Sequence, residues 1–555
     1  MKLSLEQQLI ISAIDTHVSS KKQLDALKRS WAKKHKQSMP DGNTLIKAYR
    51  YLREKKLVDR NTALELILQI RGVRTLSGVA ILTVLTKPFV CPGKCTYCPN
   101  DPEMPKSYIK DEPAAQRAYF NKFDPYQQVY TRLESLTGNG HTVDKAELIV
   151  KGGSWSVYAC DYKYWFISEC FRACNDFRQG RSSTVKEARL TNTETDDKRL
   201  QTTLHREQKK NETARCRIIG LTLETRPDLI SAAQVAEMRD LGTTRLEIGV
   251  QHTDENIQRA TKRGHGNAEV YKASRLLRIA GFKLDYHLMP QLPLSTPQKD
   301  LKMIKEIFSN PEFCPDMIKI YPCTVIDKTE LYEEVKKGKF MPYPDKKLID
   351  ILIRAKSEIV PTYCRISRLI RDIPSHHIMA GNTITNLREV IQKQMKERVL
   401  RCKCLRCREV GHQMNIPYNP QLFITEYPAS GGQEYFLSFE DPAQRVVYAF
   451  LRLRIENQKE NTVLRAQIER YQRTFPAYIR ELHTYGHLIS LHKKTRGAKI
   501  AQHKGLGKQL VKDAEKICRK HNVKKLAVIS GIGVRDYYRS LGFRLVETYM
   551  VKNLA

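Results

Sequence analysis

Three cysteines stand within eight residues, Cys91-Pro92-Gly93-Lys94-Cys95-Thr96-Tyr97-Cys98, spaced CxxxCxxC. Three thiolates are one ligand short of a closed tetrahedral zinc site. They suit a 4Fe–4S cluster with one iron left open to a small molecule, because such clusters are held by cysteine thiolates. A zinc knuckle with a distant fourth ligand is the competing reading. A disulfide is a poor third, since nothing in the chain suggests secretion. A second trio, Cys402-Lys403-Cys404-Leu405-Arg406-Cys407, has the denser spacing CxCxxC. It reads as structural zinc in preference to free thiols, with His412, Cys364, Cys323 and Cys314 as candidate fourth ligands. A third feature, Gln502-His503-Lys504-Gly505-Leu506-Gly507-Lys508, opens an amphipathic helix over Gln509–His521. Consecutive backbone amides at a glycine-bearing helix start form a cradle for a pyrophosphate.

The elements that must position these groups follow from periodicity. Val79–Leu85 is an apolar, β-branched run that predicts a buried strand, and Pro88, Pro92, Gly93 and Pro99 end regular structure after it. The first trio therefore sits in a loop at the end of a core strand, the end that carries the chemistry in α/β barrels. Further strands are predicted at Leu148–Val150, Ile218–Leu223, Arg245–Val250, Phe282–His287 and Met317–Ile320, each running into polar, proline or glycine residues. With helix-like stretches between them, residues 76–400 read as a parallel α/β sheet or barrel whose loops share a rim. Gly152 and Gly153 follow one of these strands and would let backbone amides approach a ligand; a plain turn uses the same pair. Residues 180–210 are highly charged and poor in large apolar side chains, an exposed helical or disordered excursion.

Residues 401–420 read as a zinc-binding linker. Residues 421–555 read as a second α/β unit, with strands at Gln444–Leu453, Glu481–Leu488 and Lys525–Ser530. At the other end, residues 1–75 form a basic helical segment in which Lys21, Lys22, Lys28, Arg29, Lys33, Lys34 and Lys36 surround Trp31. Such a segment either tracks RNA phosphates with Trp31 stacked on a base, or is a solvated face with Trp31 in its core. Arg365, Arg368, Arg371, Arg398, Arg401, Lys403, Arg406 and Arg408 make a second basic platform around the second trio.

Length and charge narrow the class. The 555 residues suffice for two or more domains. No run is long and apolar enough to span a bilayer and no signal peptide opens the chain, so a cytoplasmic protein with no membrane partner is expected. The 14 cysteines are clustered, which suits metal sites in a reducing compartment better than a disulfide framework. The formal net charge of +35 favours a polyanionic partner, most simply nucleic acid.

The spacing CxxxCxxC resembles that of radical S-adenosylmethionine (SAM) enzymes. The Gln502–Lys508 loop, followed by Arg535-Asp536-Tyr537-Tyr538-Arg539-Ser540-Leu541-Gly542-Phe543, resembles the acetyl-CoA loop and end motif of GNAT acetyltransferases. Joined in this order, the two are similar to the Elongator catalytic subunit family, which modifies the wobble uridine of tRNA. The likeness covers residues 74–555. Its carriers include SGVAILTVLTKPFVCPGKCTYCP, GLTLETRPD, EIGVQ, KIYP, RDIPS, CLRCREVG, ELHTYG, QHKGLG and AVISGIGVRDYYRSLGF.

The resemblance implies a partial (β/α) radical-SAM barrel followed by a GNAT α/β domain. It implies a tRNA uridine(34) acetyltransferase that makes 5-carboxymethyluridine in the anticodon stem-loop, from acetyl-CoA and a SAM-derived 5′-deoxyadenosyl radical. It places the cluster on Cys91, Cys95 and Cys98. Acetyl-CoA falls to Lys145, Glu481, Leu482, His483, Thr484, Leu506, Gly507, Lys508 and Tyr538, with Lys145 and Tyr538 as catalytic residues, and SAM lies against Gly152 and Gly153. The compact cysteine spacing points to a prokaryotic-type member that acts without other Elongator subunits; eukaryotic members have a longer first gap. The electron donor is not legible. Two other functions fit parts of the sequence: a GNAT protein-lysine acetyltransferase with structural metal sites, and a non-catalytic RNA-binding protein. Intact cysteines and an intact QHKGLGK loop speak against decay.

Overall fold

The structure, a computed structural model, describes residues 3–69, 78–177, 197–412, 416–457, 459–485 and 505–554. Its first sheet contains β1 (Ala80–Leu85), β2 (Lys145–Lys151), β3 (Arg217–Thr225), β4 (Arg245–Gln251), β5 (Lys283–Leu288) and β6 (Met317–Ile320). After a short antiparallel ribbon strand, β7 (Thr324–Ile326, paired with β9, Ile378–Gly381), comes β8 (Arg365–Arg368), the seventh and last strand of that sheet. All seven are parallel and adjacent in chain order, and β1 does not pair with β8. The result is a partial barrel with one open seam.

Alternation along each strand sorts the side chains. On β2, Ala146, Leu148 and Val150 are buried on the outer face, while Glu147, Ile149 and Lys151 turn to the interior. The outer face packs beneath crossover helices such as Pro125–Gly138 and Cys160–Asp176, which parallel connections require. A filled barrel would carry branched apolar residues inside. This one carries charges, so its interior stays open.

The second sheet contains β10 (Gln421–Ala429), β11 (Gly432–Glu440), β12 (Val447–Glu456), β13 (Ala477–Thr484), β14 (Lys525–Val528), β15 (Arg544–Val546) and β16 (Tyr549–Asn553). Its order is β10-β11-β12-β13-β14-β16-β15, antiparallel except for the β13–β14 pair. The amphipathic helix Leu506–Lys520 lays Leu510, Val511, Ala514 and Cys518 on this sheet.

The second sheet is seated on the N-terminal ends of the barrel strands. A Cβ added at Gly531 would lie 2.0 Å from the carbonyl oxygen of Ile219, so only glycine allows that approach. Next to this contact, charges are buried across the seam. Arg480 bonds Asp316 (2.6 Å) and Glu434 (2.7 Å), Arg278 bonds Glu434 (2.7 Å), and Arg452 donates to the carbonyl oxygen of Tyr363 (2.7 Å). Burial would raise the Asp316 carboxyl, yet Arg480 and Arg278 hold it well below the usual carboxylate range. Removing one partner from such a buried set typically costs about 3–5 kcal/mol.

Helices Leu5–Asp15, Lys21–His35, Gly42–Glu54 and Thr62–Leu68 form a separate small core around Leu9, Leu24, Trp31, Leu45 and Leu64. Trp31 is buried there, so its core role holds and stacking on a base does not. Lys21, Lys22, Arg29, Lys33, Lys34 and Lys36 stay exposed. Arg50 ties this bundle to the barrel through the carbonyl oxygen of Thr137 (2.5 Å). The charged excursion also differs from expectation. Residues 197–211 form the helix Asp197–Asn211, which buries Leu200 and Leu204 against the barrel; residues 178–196 lie outside the described residues.

Candidate active site

The first cysteine trio occupies the loop after β1, at the C-terminal rim of the barrel. Cys95 is buried, and Cys91 and Cys98 are half-buried toward the interior. Arg263 donates one N–H to Cys95 Sγ (3.4 Å) and another to the carbonyl oxygen of Gly249 (2.6 Å). A hydrogen bond from Cys98, with Arg263 beside it, pushes the Cys95 thiol down to about 4. Cys91 Sγ lies 3.8 Å from Ser154 Oγ. Gly152 has φ +129°, and a Cβ there would fall 1.9 Å from Thr86 Oγ1; the turn toward Cys91 therefore requires glycine. Gly153 and Ser154 complete that wall of the cavity.

The three sulfurs of this trio do not converge. Among the described residues, two groups of potential ligands gather all their atoms within 4.8 Å: Cys402, Cys404 and Cys407, and the largely exposed Asp111, His376 and His377. A single tetrahedral zinc with bonds of about 2.3 Å holds its sulfurs about 3.8 Å apart. A cubane cluster ligates through separate irons and needs a wider set. The donors at Cys91, Cys95 and Cys98 fit the cluster, and those at Cys402, Cys404 and Cys407 fit one ion.

From the rim, one cavity of about 1250 Å³ runs through the barrel to the second sheet. Its walls are layered by strand register. Glu247 of β4 stands opposite Asp285 of β5, and His287 opposite Lys319 of β6. Lys151 reaches both Glu224 (2.9 Å) and Glu247, His287 Nε2 lies 2.9 Å from Glu247, and Lys319 pairs with Glu247. Burial would raise Glu247, but Lys151 and Lys319 hold it well below the usual range. Burial pushes Lys319 down to about 8, against the pull of Glu247. The motifs EIGVQ and KIYP contain Glu247 and Lys319, yet an isolated strand does not reveal that they meet.

At the far end the cavity is lined by Glu481, Leu482 and His483 of β13 and by Tyr538. Thr484 Oγ1 lies 3.3 Å, and Tyr537 Oη 2.9 Å, from where a Cβ on Gly507 would sit, so the helix start is pressed against the end of β13. Leu506 is buried and Lys508 exposed; Gln502, His503 and Lys504 lie outside the described residues, as does the predicted strand beyond Tyr485. Burial raises Tyr538, which keeps its hydroxyl protonated. Burial would raise Glu481 too, but Lys283 and Arg452 hold it down as a carboxylate. Lys145 is not part of the lining. It stands half-buried at the start of β2, paired in register with Arg217, and burial lowers it. A Cβ on Gly533 would meet Arg217 Cβ at 2.5 Å, which places Lys145 one strand from the second sheet's docking segment.

Around the second trio, Lys356 Nζ lies 3.7 Å from Cys407 Sγ, carried by a π-helical turn over Ala355–Ile359. Leu405 N–H donates to the carbonyl oxygen of Cys364 (2.9 Å), which pins the loop to β8. Cys364, Cys314 and Cys323 are not in the 4.8 Å group, and the side chain of His412 lies outside the described residues. The expected basic platform is largely neutralised. Arg365 pairs with Glu409, Arg368 with Asp372, Arg371 with Glu112 (2.5 Å) and Arg408 with Glu440 (2.5 Å).

A parallel partial barrel with a three-thiol loop at one end and an acyltransferase sheet at the other defines a radical-SAM enzyme fused to a GNAT acetyltransferase. Family models agree: Radical SAM superfamily over residues 175–304, Radical SAM C-terminal domain over 315–397, and Acetyltransferase (GNAT) domain over 451–554. The chain is 42% identical to the tRNA uridine(34) acetyltransferase of Methanocaldococcus infernus, over 92% of this chain and 91% of that one. It is 37% identical to Elongator complex protein 3 of Danio rerio, over 88% and 86%. A solved structure of the M. infernus Elp3 with an N-terminal deletion (1–46) superposes with a TM-score of 0.70 at 39% identity, covering 86% of this chain and all of that one. The chain belongs to the Elongator protein 3 / tRNA uridine(34) acetyltransferase family. No helix among the described residues is long and apolar enough to cross a membrane.

Proposed function

We propose that this chain is a tRNA uridine(34) acetyltransferase that installs a carboxymethyl group at carbon 5 of the wobble uracil. The observation that carries this is the single cavity joining the cysteine rim to Glu481, His483 and Tyr538. When bound, the cluster and SAM supply a radical that activates the methyl group of acetyl-CoA. Cys91, Cys95 and Cys98 would hold the cluster, with Arg263 neutralising thiolate charge, and the backbone of Gly152 and Gly153 would face SAM. Glu481, Leu482, His483, Thr484, Leu506, Gly507 and Lys508 would hold acetyl-CoA at the opposite mouth. Tyr538, kept protonated by burial, can donate a hydrogen bond to the thioester carbonyl and a proton to the departing thiolate. Lys145, at the same end, is suited to a CoA phosphate or the carbonyl. Zinc at Cys402, Cys404 and Cys407 would lock the linker to β8. The exposed lysines of helix Lys21–His35 would follow tRNA phosphates. Mass spectrometry of tRNA nucleosides after anaerobic incubation with SAM, reductant and acetyl-CoA tests the reading. 5-Carboxymethyluridine at position 34 is expected, and unmodified tRNA in the presence of a full cluster would overturn it.

A further inference from the structure

Resting on that tRNA reading, we infer that Asp285 and Lys319 read the imide edge of the target uracil. Asp285 accepts from N3–H, and Lys319 donates to a ring carbonyl.

Asp285 is 1% exposed and lines the cavity. Its Oδ2 accepts from Ser367 Oγ (3.2 Å), and its Oδ1 has no hydrogen-bond partner among the described residues. A buried acceptor left without a donor is costly, and a ligand that brings a donor removes that cost. Lys319, 6% exposed, lines the same cavity and spends one donor on Glu247. An ammonium has three. Burial pushes the Asp285 carboxyl up, and Lys319 is the first charge that pulls it back toward the carboxylate. An acceptor beside a cationic donor is the complement of a uracil edge, where N3–H is flanked by carbonyls.

Position supports the same assignment. Inward residues on β5 are Lys283, Asp285 and His287, with Met289 just beyond the strand. Successive inward residues are about 6.6 Å apart along a strand. Lys283 faces Glu481 at the acetyltransferase end, and Met289 lies toward the cysteine rim. Asp285 and Lys319 thus lie between the two ends, where a base is within reach of groups delivered from either. β1 and β8 do not pair, so the wall of strands around the cavity is not closed between them, and a splayed-out base is the form in which a nucleotide enters such a site. Cytosine carries an acceptor at N3 and would set a lone pair against the Asp285 carboxylate. For a base held in the register that sets N3 against Asp285, that repulsion favours uracil.

The test uses the full chain and three anticodon stem-loop RNAs that differ only at position 34: uridine, cytidine or 3-methyluridine, whose N3 bears no hydrogen. Affinities are read by fluorescence anisotropy at one salt concentration. Uridine should bind about tenfold more tightly than either of the others, the discrimination expected of a good base-edge contact. Asp285→Asn should bring uridine and cytidine within about twofold, because a carboxamide offers a donor or an acceptor. Lys319→Gln should weaken uridine binding. Equal binding of uridine and 3-methyluridine by the unaltered protein overturns the inference without any variant. So does a folded Asp285→Asn protein, checked by circular dichroism, that keeps the original preference. Failure of every stem-loop to bind would instead remove the tRNA reading itself.

Discussion

Cys402, Cys404 and Cys407 converge on one point, whereas Cys91, Cys95 and Cys98 line a wall. The numbers of sulfurs are equal and the spacings differ by a few residues. The denser spacing folds into a short helical turn over Leu405–Arg408, which points its sulfurs inward at one another. The looser one bends through Pro92 and Gly93, so Cys91 faces Ser154 while Cys95 stays with Cys98 and Arg263. One arrangement brings its sulfurs close enough to hold a single ion. The other leaves ligands on the side of a cavity, where an open coordination position is useful. Spacing alone makes both look like three ligands in search of a fourth; the spread of the sulfurs separates them.

The contrast can be broken most sharply at Cys95. Cys95→Ser should abolish bound iron, visible absorbance and SAM cleavage while zinc stays at its original level, measured by metal analysis of the reconstituted protein. Full iron in the variant would make the two trios equivalent. Cys404→Ser should do the reverse. Zinc is lost, iron is kept, and the melting temperature falls by about 5 °C or more, because a structural metal's binding energy is folding energy. An unchanged melting curve would leave the second trio as free thiols.

Further along the cavity, Tyr538→Phe should lower tRNA-stimulated CoA release by about 100-fold with both metals in place, the usual scale of a lost general acid. Lys145→Ala should lower it less, since Lys145 stands outside the cavity lining. A wild-type rate for Lys145→Ala would confine acetyl-CoA to the second sheet. The smallest effect is expected at the surface. Charge reversal at Lys33, Lys34 and Lys36 should leave iron, zinc and melting untouched and weaken tRNA binding. The log–log salt slope should fall by about one for each phosphate that is no longer neutralised. An unchanged slope would place the RNA on another face.

Much of this architecture is readable from local pattern. Val79–Leu85 and the later strands announce themselves by β-branched runs ending in glycine and proline, and the glycines at 152, 505 and 507 mark turns and helix starts. Boundaries slip where alternation persists past the expected end: the pattern predicts a strand over Gln444–Leu453, and the strand runs Val447–Glu456. Trp31 is ambiguous because a helix with many lysines has the same sequence whether its one aromatic faces a core or an RNA. Helix Asp197–Asn211 looks solvated because only Leu200 and Leu204 mark its buried stripe. What no local pattern carries is register between distant strands. Glu247, Asp285 and Lys319 are each a charge inside a predicted buried strand, an apparent conflict that dissolves only when the strands are side by side. The arginines at 278, 452 and 480 pose the same problem.

Those arginines also decide how the molecule is inherited. Severing the chain at the linker would leave the acetyltransferase half with two guanidinium groups, Arg452 and Arg480, cut off from Asp316, and with Glu434 cut off from Arg278. The barrel half would keep Asp316 and Arg278 stripped of those partners. Each half keeps part of its pairing, Arg480 with Glu434 and Arg278 beside Asp316, but loses every bond that crosses between them. An acetyltransferase domain borrowed from another protein would be accepted only if it brought matching charges at the positions of Glu434, Arg452 and Arg480. The pairing of two chemistries in one polypeptide is thus protected less by the reaction they share than by an electrostatic lock that punishes their separation.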